Sequence, residues 1–174
     1  IIKKKNKGLA FWIIGLPGSG KTTFALAIKN EINKLFGKTL VISGDNLRNI
    51  FNLKKFSKNE RISLGKKYTN FCKFLTNQNI NVIFAAGGMF DEIRTYNKKI
   101  LKKSYVEIYI KSSIPQIISL GKKKIYTKTK KNMFGIDIVP QIPKRSHIVI
   151  MNDFKKSKKQ IKKILLNKII KLVS

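Results

Sequence analysis

Eight residues near the start of the chain have the types and spacing of a phosphate-binding loop. Residues 15–22 read GLPGSGKT, which matches the pattern G-x-x-x-x-G-K-[ST]. Glycines let backbone N–H groups curl around phosphate oxygens, and a helix that starts after the loop adds positive potential. In this pattern Lys21 reaches the β- and γ-phosphates, and the Thr22 hydroxyl holds Mg²⁺. The residues expected at the phosphates are Gly15, Pro17, Gly18, Ser19, Gly20, Lys21, Thr22 and Thr23.

A second group of reactive side chains follows the next apolar segment. The chain has only eight acidic residues, and Asp45 comes three residues after the end of the apolar segment at Ile42. Ligands of parallel sheets gather outside the carboxyl ends of the strands, so we expect Asp45 near the phosphate loop. A carboxylate there can help to hold Mg²⁺ and accept a proton from an attacking hydroxyl. Arg48 can grip an anionic group of the acceptor. The alternative role of Asp45 is to cap a helix that begins at Asn46.

Apolar segments that alternate with helical ones must position these residues. The expected strands are Leu9–Ile14, Thr39–Ile42, Asn81–Ala86, Tyr105–Ile110 and His147–Ile150. The expected helices are Thr22–Leu35, Ser57–Thr76, Phe90–Lys102, Pro115–Leu120 and Lys155–Leu172. Near-continuous apolar strands in this alternation are typical of an α/β fold, in which helices cover both faces of a parallel sheet. We expect one P-loop NTPase-type domain over residues 1–174, with a five-stranded sheet.

Two segments of this domain differ from the rest in composition. Residues 121–135 are polar and lysine-rich, and we interpret them as a lid-like loop. Residues 155–174 form an amphipathic helix, whose expected apolar face carries Ile161, Ile164, Leu165, Ile169 and Leu172. We expect this helix to pack on its own sheet. The alternative is that this basic amphipathic helix contacts a membrane surface.

The formal net charge of +30 bears on the partners of the protein. Only four of the 38 basic residues are arginine, and the lysines are spread along the whole chain. Surfaces that read nucleic acids usually enrich arginine, because its planar fork binds bases and phosphates in two places. We therefore expect an anionic small-molecule substrate and no nucleic acid, with an RNA-binding surface as the alternative. Arg48 and Arg61 are two of the four arginines in this lysine-rich chain, which suggests that their positions require the two-point binding of a guanidinium group.

The sequence gives little support for a disulfide, a histidine-based site, a secretory signal or a membrane span. The single cysteine, Cys72, excludes disulfides within the chain and is expected in the core, and the single histidine, His147, precedes an apolar strand. The basic start resembles a signal peptide, but its apolar run enters the phosphate loop without a cleavage site. No apolar run approaches the ~20 residues of a membrane span. We expect a cytoplasmic protein without a membrane partner.

Taken together, residues 11–153 resemble the adenylylsulfate kinase family. Residues 44–48, GDNLR, match its Gly-Asp-Asn-x-Arg element, which is the most specific signal. Residues 56–61 are similar to its Phe-Ser-x-x-Asp-Arg, residues 125–128 to its Leu-Tyr-Lys-Lys and residues 132–137 to its Asn-Phe-Thr-Gly-Ile-Asp. The resemblance implies ATP-dependent phosphorylation of the ribose 3′-hydroxyl of a nucleotide that carries an activated small acid.

The resemblance also assigns roles to residues of this chain. It implies Lys21 and Asp45 as catalytic residues, Asp45 as the base, and Thr22 and Asp45 around Mg²⁺. The substrate-binding residues that it implies are Arg48, Asn52, Phe56, Arg61, Lys128, Met133, Phe134 and Ile136. Phe56 would stack on the base of the acceptor, and Lys128 would close over it from the lid.

Departures from the family pattern fall on the side of the acceptor. The serine expected after the third strand is absent from residues 85–90, which read AAGGMF. Leu64 replaces an asparagine, Lys66 and Lys67 replace two arginines, and Met133 replaces one of two aromatic residues that sandwich adenine. The ATP side is intact. This asymmetry indicates a retained reaction with an altered acceptor.

A branch of similar kinases from bacterial capsule gene sets shares features with this chain. It carries a Met-Phe pair, as in Met89 and Phe90, and an element like residues 135–138, GIDI. The resemblance to this branch implies a cytidine diphosphoramidate acceptor and a role in capsule phosphoramidate biosynthesis. The alternatives are adenylylsulfate as the acceptor, in sulfate assimilation, and a non-catalytic module that binds nucleotides or RNA. The oligomeric state stays open, with a homodimer as one expectation.

Overall fold

The computed structural model describes residues 8–53, 57–87, 89–122, 126 and 134–173. Its centre is a sheet of five parallel strands in the order β2-β3-β1-β4-β5. The strands are β1 Ala10–Gly15, β2 Thr39–Ser43, β3 Asn81–Ala85, β4 Tyr105–Lys111 and β5 Ile148–Met151. Every expected strand is present, and no strand end differs from the predicted one by more than one residue. The predicted α/β fold is confirmed.

Helices connect the strands and cover the sheet. They are α1 Lys21–Phe36, α2 Gly44–Ile50, α3 Lys58–Asn77, α4 Asp91–Leu101, α5 Ile114–Ile117 and α6 Lys158–Val173. A 3₁₀ turn, Lys102–Ser104, precedes β4, and α5 continues into a π-helical turn, Ile118–Lys122. The predicted helix Pro115–Leu120 is therefore divided between α5 and this turn. None of the helices in these ranges is long and apolar enough to cross a membrane.

The start of α2 corrects one alternative from the sequence. The Ser43 hydroxyl accepts a hydrogen bond of 3.1 Å from the Asn46 backbone N–H, so Ser43 is the N-cap of a helix that begins at Gly44. Asp45 lies in the first turn of that helix and does not cap it. A serine oxygen satisfies the exposed N–H groups of a helix start as well as a carboxylate does. The Asp45 side chain is thus left to other partners.

Alternation along the strands sends side chains to two apolar layers. Trp12 of β1 and Phe84 of β3 belong to the layer under α3 and α4, together with the buried Cys72. Phe11 and Ile13 belong to the opposite layer, under α1 and α6. Neighbouring residues of a strand point to opposite faces, so each strand serves both layers. The thiol of Cys72 is a core group, and burial raises its pKa.

The α6 helix packs on the sheet, as predicted. Ile161, Leu165 and Ile169 are buried in the layer that also holds Phe11 and Ile13. Ile164 and Leu172, which were expected on the same face, are 37% and 45% exposed. The apolar face is therefore narrower than predicted, because both residues lie at its edges. Burial of this face in the protein removes the main support for a membrane-binding role.

Candidate active site

The phosphate loop joins β1 to α1 and is shaped by its own backbone. Gly20 comes directly before α1 and has a φ of 95°, which glycine adopts without strain. The Ser19 N–H donates a hydrogen bond of 3.1 Å to the Leu16 carbonyl and closes the turn. The Lys21 ammonium donates to the carbonyls of Gly15 and Leu16, at 2.9 and 2.8 Å. The Lys21 side chain therefore folds back over the phosphate loop, where it is predicted to bind the phosphates of a nucleotide.

A side chain from the far edge of the sheet holds the same loop. The Asn152 amide, just after β5, donates a hydrogen bond of 2.9 Å to the Ser19 carbonyl. Asn152 is itself fixed by the Ser112 hydroxyl, which donates to its backbone carbonyl at 2.8 Å. The sequence argument missed Asn152. The signal was present, because Asn152 follows the carboxyl end of β5 as Asp45 follows that of β2.

A cleft of about 470 Å³ opens at the carboxyl ends of the strands. Its lining runs from the phosphate loop to α2 and α3, and then to the loop after β3. The predicted site residues in this lining are Pro17, Gly18, Gly20, Lys21, Thr22, Thr23, Asp45, Arg48, Arg61 and Phe134. The fold therefore brings the phosphate loop, one carboxylate and two guanidinium groups to a single cleft.

Asp45 and Arg48 form an ion pair one turn apart on α2. The Asp45 side chain is 76% exposed and the Arg48 side chain 28% exposed, so the pair lies at the mouth of the cleft. Exposed ion pairs of this kind contribute little to stability. The pair matters for position, because it holds the candidate base and the candidate anion-binding group side by side.

Arg61 adds a second guanidinium close to Arg48. It lies in the first turn of α3, whose start is secured by a reciprocal capping box between Ser57 and Glu60. Burial lowers the pKa of Arg61, and the nearby charge of Arg48 lowers it further. Burial also lowers the pKa of Arg48. Two cations this close in a partly buried cleft repel each other, and an anion between them would relieve the repulsion. The arrangement is typical of an anion-binding site.

The floor of the cleft contains three aromatic residues that the sequence argument did not assign to the site. Trp12 stacks on Phe84 with ring centroids 4.5 Å apart, and Tyr68 lies against Phe84 at 5.3 Å. All three line the cleft. Tyr68 could have been found from spacing, because Arg61, Leu64 and Tyr68 follow the i, i+3, i+7 pattern of one helix face. Trp12 had no such signal, since it lies inside an all-apolar strand.

Some predicted site residues are buried, lie away from the cleft or fall outside the described residues. Phe134 is buried against Phe90, edge to face, with centroids 5.4 Å apart. Asn52, after the end of α2, and Ile136 are exposed and do not line the cleft. Gly15 and Ser19 lie behind the lining, where Gly15 accepts from Lys21 and the Ser19 side chain is fully buried. Phe56, Lys128 and Met133 lie outside the described residues, as does most of the predicted lid.

The residues present fit a magnesium ion that is bound together with a nucleotide. Within the described ranges, no group of three or more His, Cys, Asp or Glu could hold a metal. Mg²⁺ in phosphoryl-transfer sites usually takes one or two protein oxygens and completes its shell with phosphate and water. Thr22 and Asp45 both line the cleft and carry hard oxygen donors. This pair matches that requirement.

Known proteins resemble this chain over most of its length. A family model described as adenylylsulphate kinase matches residues 7–151. Cytidine diphosphoramidate kinase of Campylobacter jejuni is 32% identical over 169 residues, which cover 95% of this chain and 98% of that protein. Adenylyl-sulfate kinase of Clostridium kluyveri is 28% identical over 165 residues, which cover 92% of this chain and 83% of that protein.

A solved structure shows the same fold. The Mycobacterium tuberculosis APS kinase in complex with AMPPNP and APS has a TM-score of 0.82 against this chain at 21% identity. The match covers 94% of this chain and 98% of the other. With the phosphate loop, the carboxylate and the two arginines in one cleft, the chain is a kinase that belongs to the adenylylsulphate kinase family.

Proposed function

We propose that the protein transfers the γ-phosphoryl group of ATP to the ribose 3′-hydroxyl of cytidine diphosphoramidate, in capsule phosphoramidate biosynthesis. The observation that carries this proposal is the relationship to the Campylobacter jejuni enzyme over 95% of this chain and 98% of that protein. Met89 and Phe90, which follow β3 at the acceptor side, support the same branch. Both side chains are fully buried, so they support the cleft from behind and do not contact a bound substrate directly.

The roles follow from the positions in the cleft. The phosphate loop and Lys21 bind the triphosphate, because backbone N–H groups and an ammonium neutralise its charge. Thr22 and Asp45 would hold Mg²⁺, which supplies further charge neutralisation at the phosphates. Asp45 accepts the proton of the 3′-hydroxyl while that oxygen bonds to the γ-phosphorus. The bond from the γ-phosphorus to the β,γ-bridging oxygen breaks, and ADP leaves.

The acceptor occupies the other half of the cleft. Arg48 and Arg61 bind its diphosphoramidate, since their paired guanidinium groups match anionic oxygens. Phe134, which lines the cleft, offers an aromatic surface for the base. The family resemblance implies that Met133, smaller than the aromatic residue it replaces, would suit a pyrimidine. Roles for Asn52, Phe56, Lys128, Met133 and Ile136 stay predictions.

Adenylylsulfate is the second candidate acceptor. The match to the adenylylsulphate kinase model over residues 7–151 favours it, as does the adenylyl-sulfate kinase of Clostridium kluyveri. A non-catalytic nucleotide- or RNA-binding module is less well supported, because Lys21, Thr22 and Asp45 are all retained around one cleft. A cytoplasmic location, a single domain over residues 1–174 and a homodimer also stay predictions.

One experiment separates these candidates. ATP and Mg²⁺ are supplied with cytidine diphosphoramidate or with adenylylsulfate, ADP release is followed, and ³¹P NMR locates the new phosphate. We expect a higher kcat/KM with cytidine diphosphoramidate and a new 3′-phosphomonoester. Lys21→Ala should abolish transfer, whereas Lys29→Ala, on the exposed side of α1, should retain it. A preference for adenylylsulfate would reassign the acceptor. Steeply salt-dependent RNA binding without turnover on either acceptor would refute the kinase proposal.

A further inference from the structure

Two polar atoms at the floor of the cleft have no hydrogen-bond partner among the described residues. They are the indole N–H of Trp12 and the hydroxyl of Tyr68, whose residues are 1% and 8% exposed. A buried polar group without a partner costs about 1–3 kcal/mol, so native structures rarely retain one without a reason. Both residues line the cleft. A bound molecule that supplies the partner would be such a reason.

The surroundings of Tyr68 indicate what that molecule carries there. Arg48 and Tyr68 flank Gly44, because a Cβ atom at Gly44 would lie 3.3 Å from Arg48 Nη1 and 3.8 Å from Tyr68 Cε2. Burial raises the pKa of Tyr68, and the charge of Arg48 opposes that rise. The guanidinium and the indole can only donate hydrogen bonds, and the phenol can donate or accept one. Such a set of donors matches anionic oxygens.

We propose that Tyr68 and Trp12 bind the terminal acid group of the acceptor nucleotide. The inference rests on the proposed function and deepens it. A terminal phosphoramidate offers oxygens that accept hydrogen bonds and an amino group that donates them. A terminal sulfate offers oxygens alone. The Tyr68 hydroxyl can serve both kinds of atom, whereas a phenylalanine at this position could serve neither.

Arg48 is the charged group next to the floor of the cleft. In this structure the two polar atoms are closed off from solvent, although the rings that carry them line the cleft. Arg48 is the charged side chain beside Tyr68 and is paired with Asp45. An anionic group of the acceptor that binds Arg48 competes with Asp45 for the guanidinium and so weakens this ion pair.

Tyr68→Phe tests the hydroxyl alone, because the ring that packs on Phe84 is retained. The unfolding temperature of the free variant should equal or exceed that of the wild type, since an unsatisfied polar group is removed. The KM for cytidine diphosphoramidate should rise by about tenfold to a hundredfold, as expected for a lost hydrogen bond to a charged group. The KM for ATP should not change. Tyr96→Phe is the matched control, because the Tyr96 hydroxyl bonds Asn70 outside the cleft.

A binding experiment reports on the same contact without turnover. Trp12 is the only tryptophan of the chain, so its fluorescence monitors the floor of the cleft directly. Wild type and Tyr68→Phe are titrated with CDP, which has a second phosphate group, and with CMP, which lacks it. We expect Tyr68→Phe to weaken CDP binding about tenfold or more and to leave CMP binding unchanged.

The outcomes separate this inference from the proposed function. Equal CDP affinities in the two proteins, or CDP binding that leaves Trp12 emission unchanged, would overturn the inference even if the wild type is active. A lower unfolding temperature of free Tyr68→Phe with unchanged affinities would assign the hydroxyl a structural role and overturn it too. Tyr68-dependent CDP binding without turnover on either acceptor would support the inference while it refutes the proposed kinase reaction.

Discussion

The Tyr126 hydroxyl donates a hydrogen bond of 2.7 Å to the carbonyl of Pro17, a residue 109 positions earlier in the chain. The bond joins the segment predicted as a lid to the middle of the phosphate loop. Tyr126 is only 7% exposed, and burial raises its pKa to about 12. A hydrogen bond from a distant segment holds the phosphate loop in one conformation. The loop therefore loses less conformational entropy when phosphate binds.

Removing this bond should weaken nucleotide binding. Tyr126→Phe leaves the Pro17 carbonyl without its donor, and we expect the KM for ATP to rise by about twofold to tenfold, as for a neutral hydrogen bond. Steady-state kinetics with ATP varied at saturating acceptor measure the effect. Tyr96→Phe should not change this KM. An unchanged KM in Tyr126→Phe would show that the phosphate loop keeps its shape without the bond.

The same tyrosine should make the protein sensitive to alkaline pH. The unfolded chain ionises tyrosine near pH 10, whereas folded Tyr126 holds its proton to about pH 12. Its contribution to stability is therefore complete below pH 10 and is lost as the pH rises through 12. The two proteins to compare share every other titratable group, so the difference between them reports on Tyr126. Between pH 9 and 11 the wild type should lose more unfolding free energy, measured with urea, than Tyr126→Phe. Equal losses of unfolding free energy in the two proteins would contradict the raised pKa of Tyr126.

Asp45→Asn tests the proposed base with little change in shape. An amide cannot accept the proton of the hydroxyl, so kcat should fall by roughly 10²–10⁴, while the KM for ATP changes much less. Stability should be nearly unchanged, because the exposed pair with Arg48 contributes little. Glu92→Gln, exposed on α4, is the control acid and should retain wild-type kcat. Wild-type turnover in Asp45→Asn would refute the role of the carboxylate.

A pair of glycines separates backbone strain from crowding in the phosphate loop. Gly20 and Gly37 have φ values of 95° and 93°, so alanine is strained at both, by about 1 kcal/mol or more. An added Cβ at Gly20 would lie 3.0 Å from Phe24 and 3.3 Å from the Asn152 amide, whereas none of the described atoms lies within 4 Å of one at Gly37. Both variants should unfold at lower temperature. Only Gly20→Ala should also lose ATP affinity, measured by calorimetry; similar affinities in the two variants would contradict this.

Local patterns predicted the parts of this protein that depend on neighbours in sequence. The phosphate loop was recognisable because glycines, a lysine and a threonine must occur at set spacings between a strand and a helix. The five strands were recognisable because strands buried on both faces are apolar throughout. Asp45 could be placed near the loop because ligands of a parallel sheet collect at the carboxyl ends of its strands. The alternative in which Asp45 caps a helix from Asn46 was wrong, because Ser43 and Asp45 are both suitable capping residues and Ser43 takes that role.

Tertiary structure decided which distant residues meet at the cleft. The bonds from Asn152 to Ser19 and from Tyr126 to Pro17 join positions 133 and 109 residues apart. The aromatic floor unites Trp12, Tyr68 and Phe84 from three separate elements. Sequence spacing determines contacts within a helix or a turn, because the backbone geometry there is the same in every protein. Contacts between elements depend on how the sheet and helices pack, and that packing determines which polar atoms are left for a substrate.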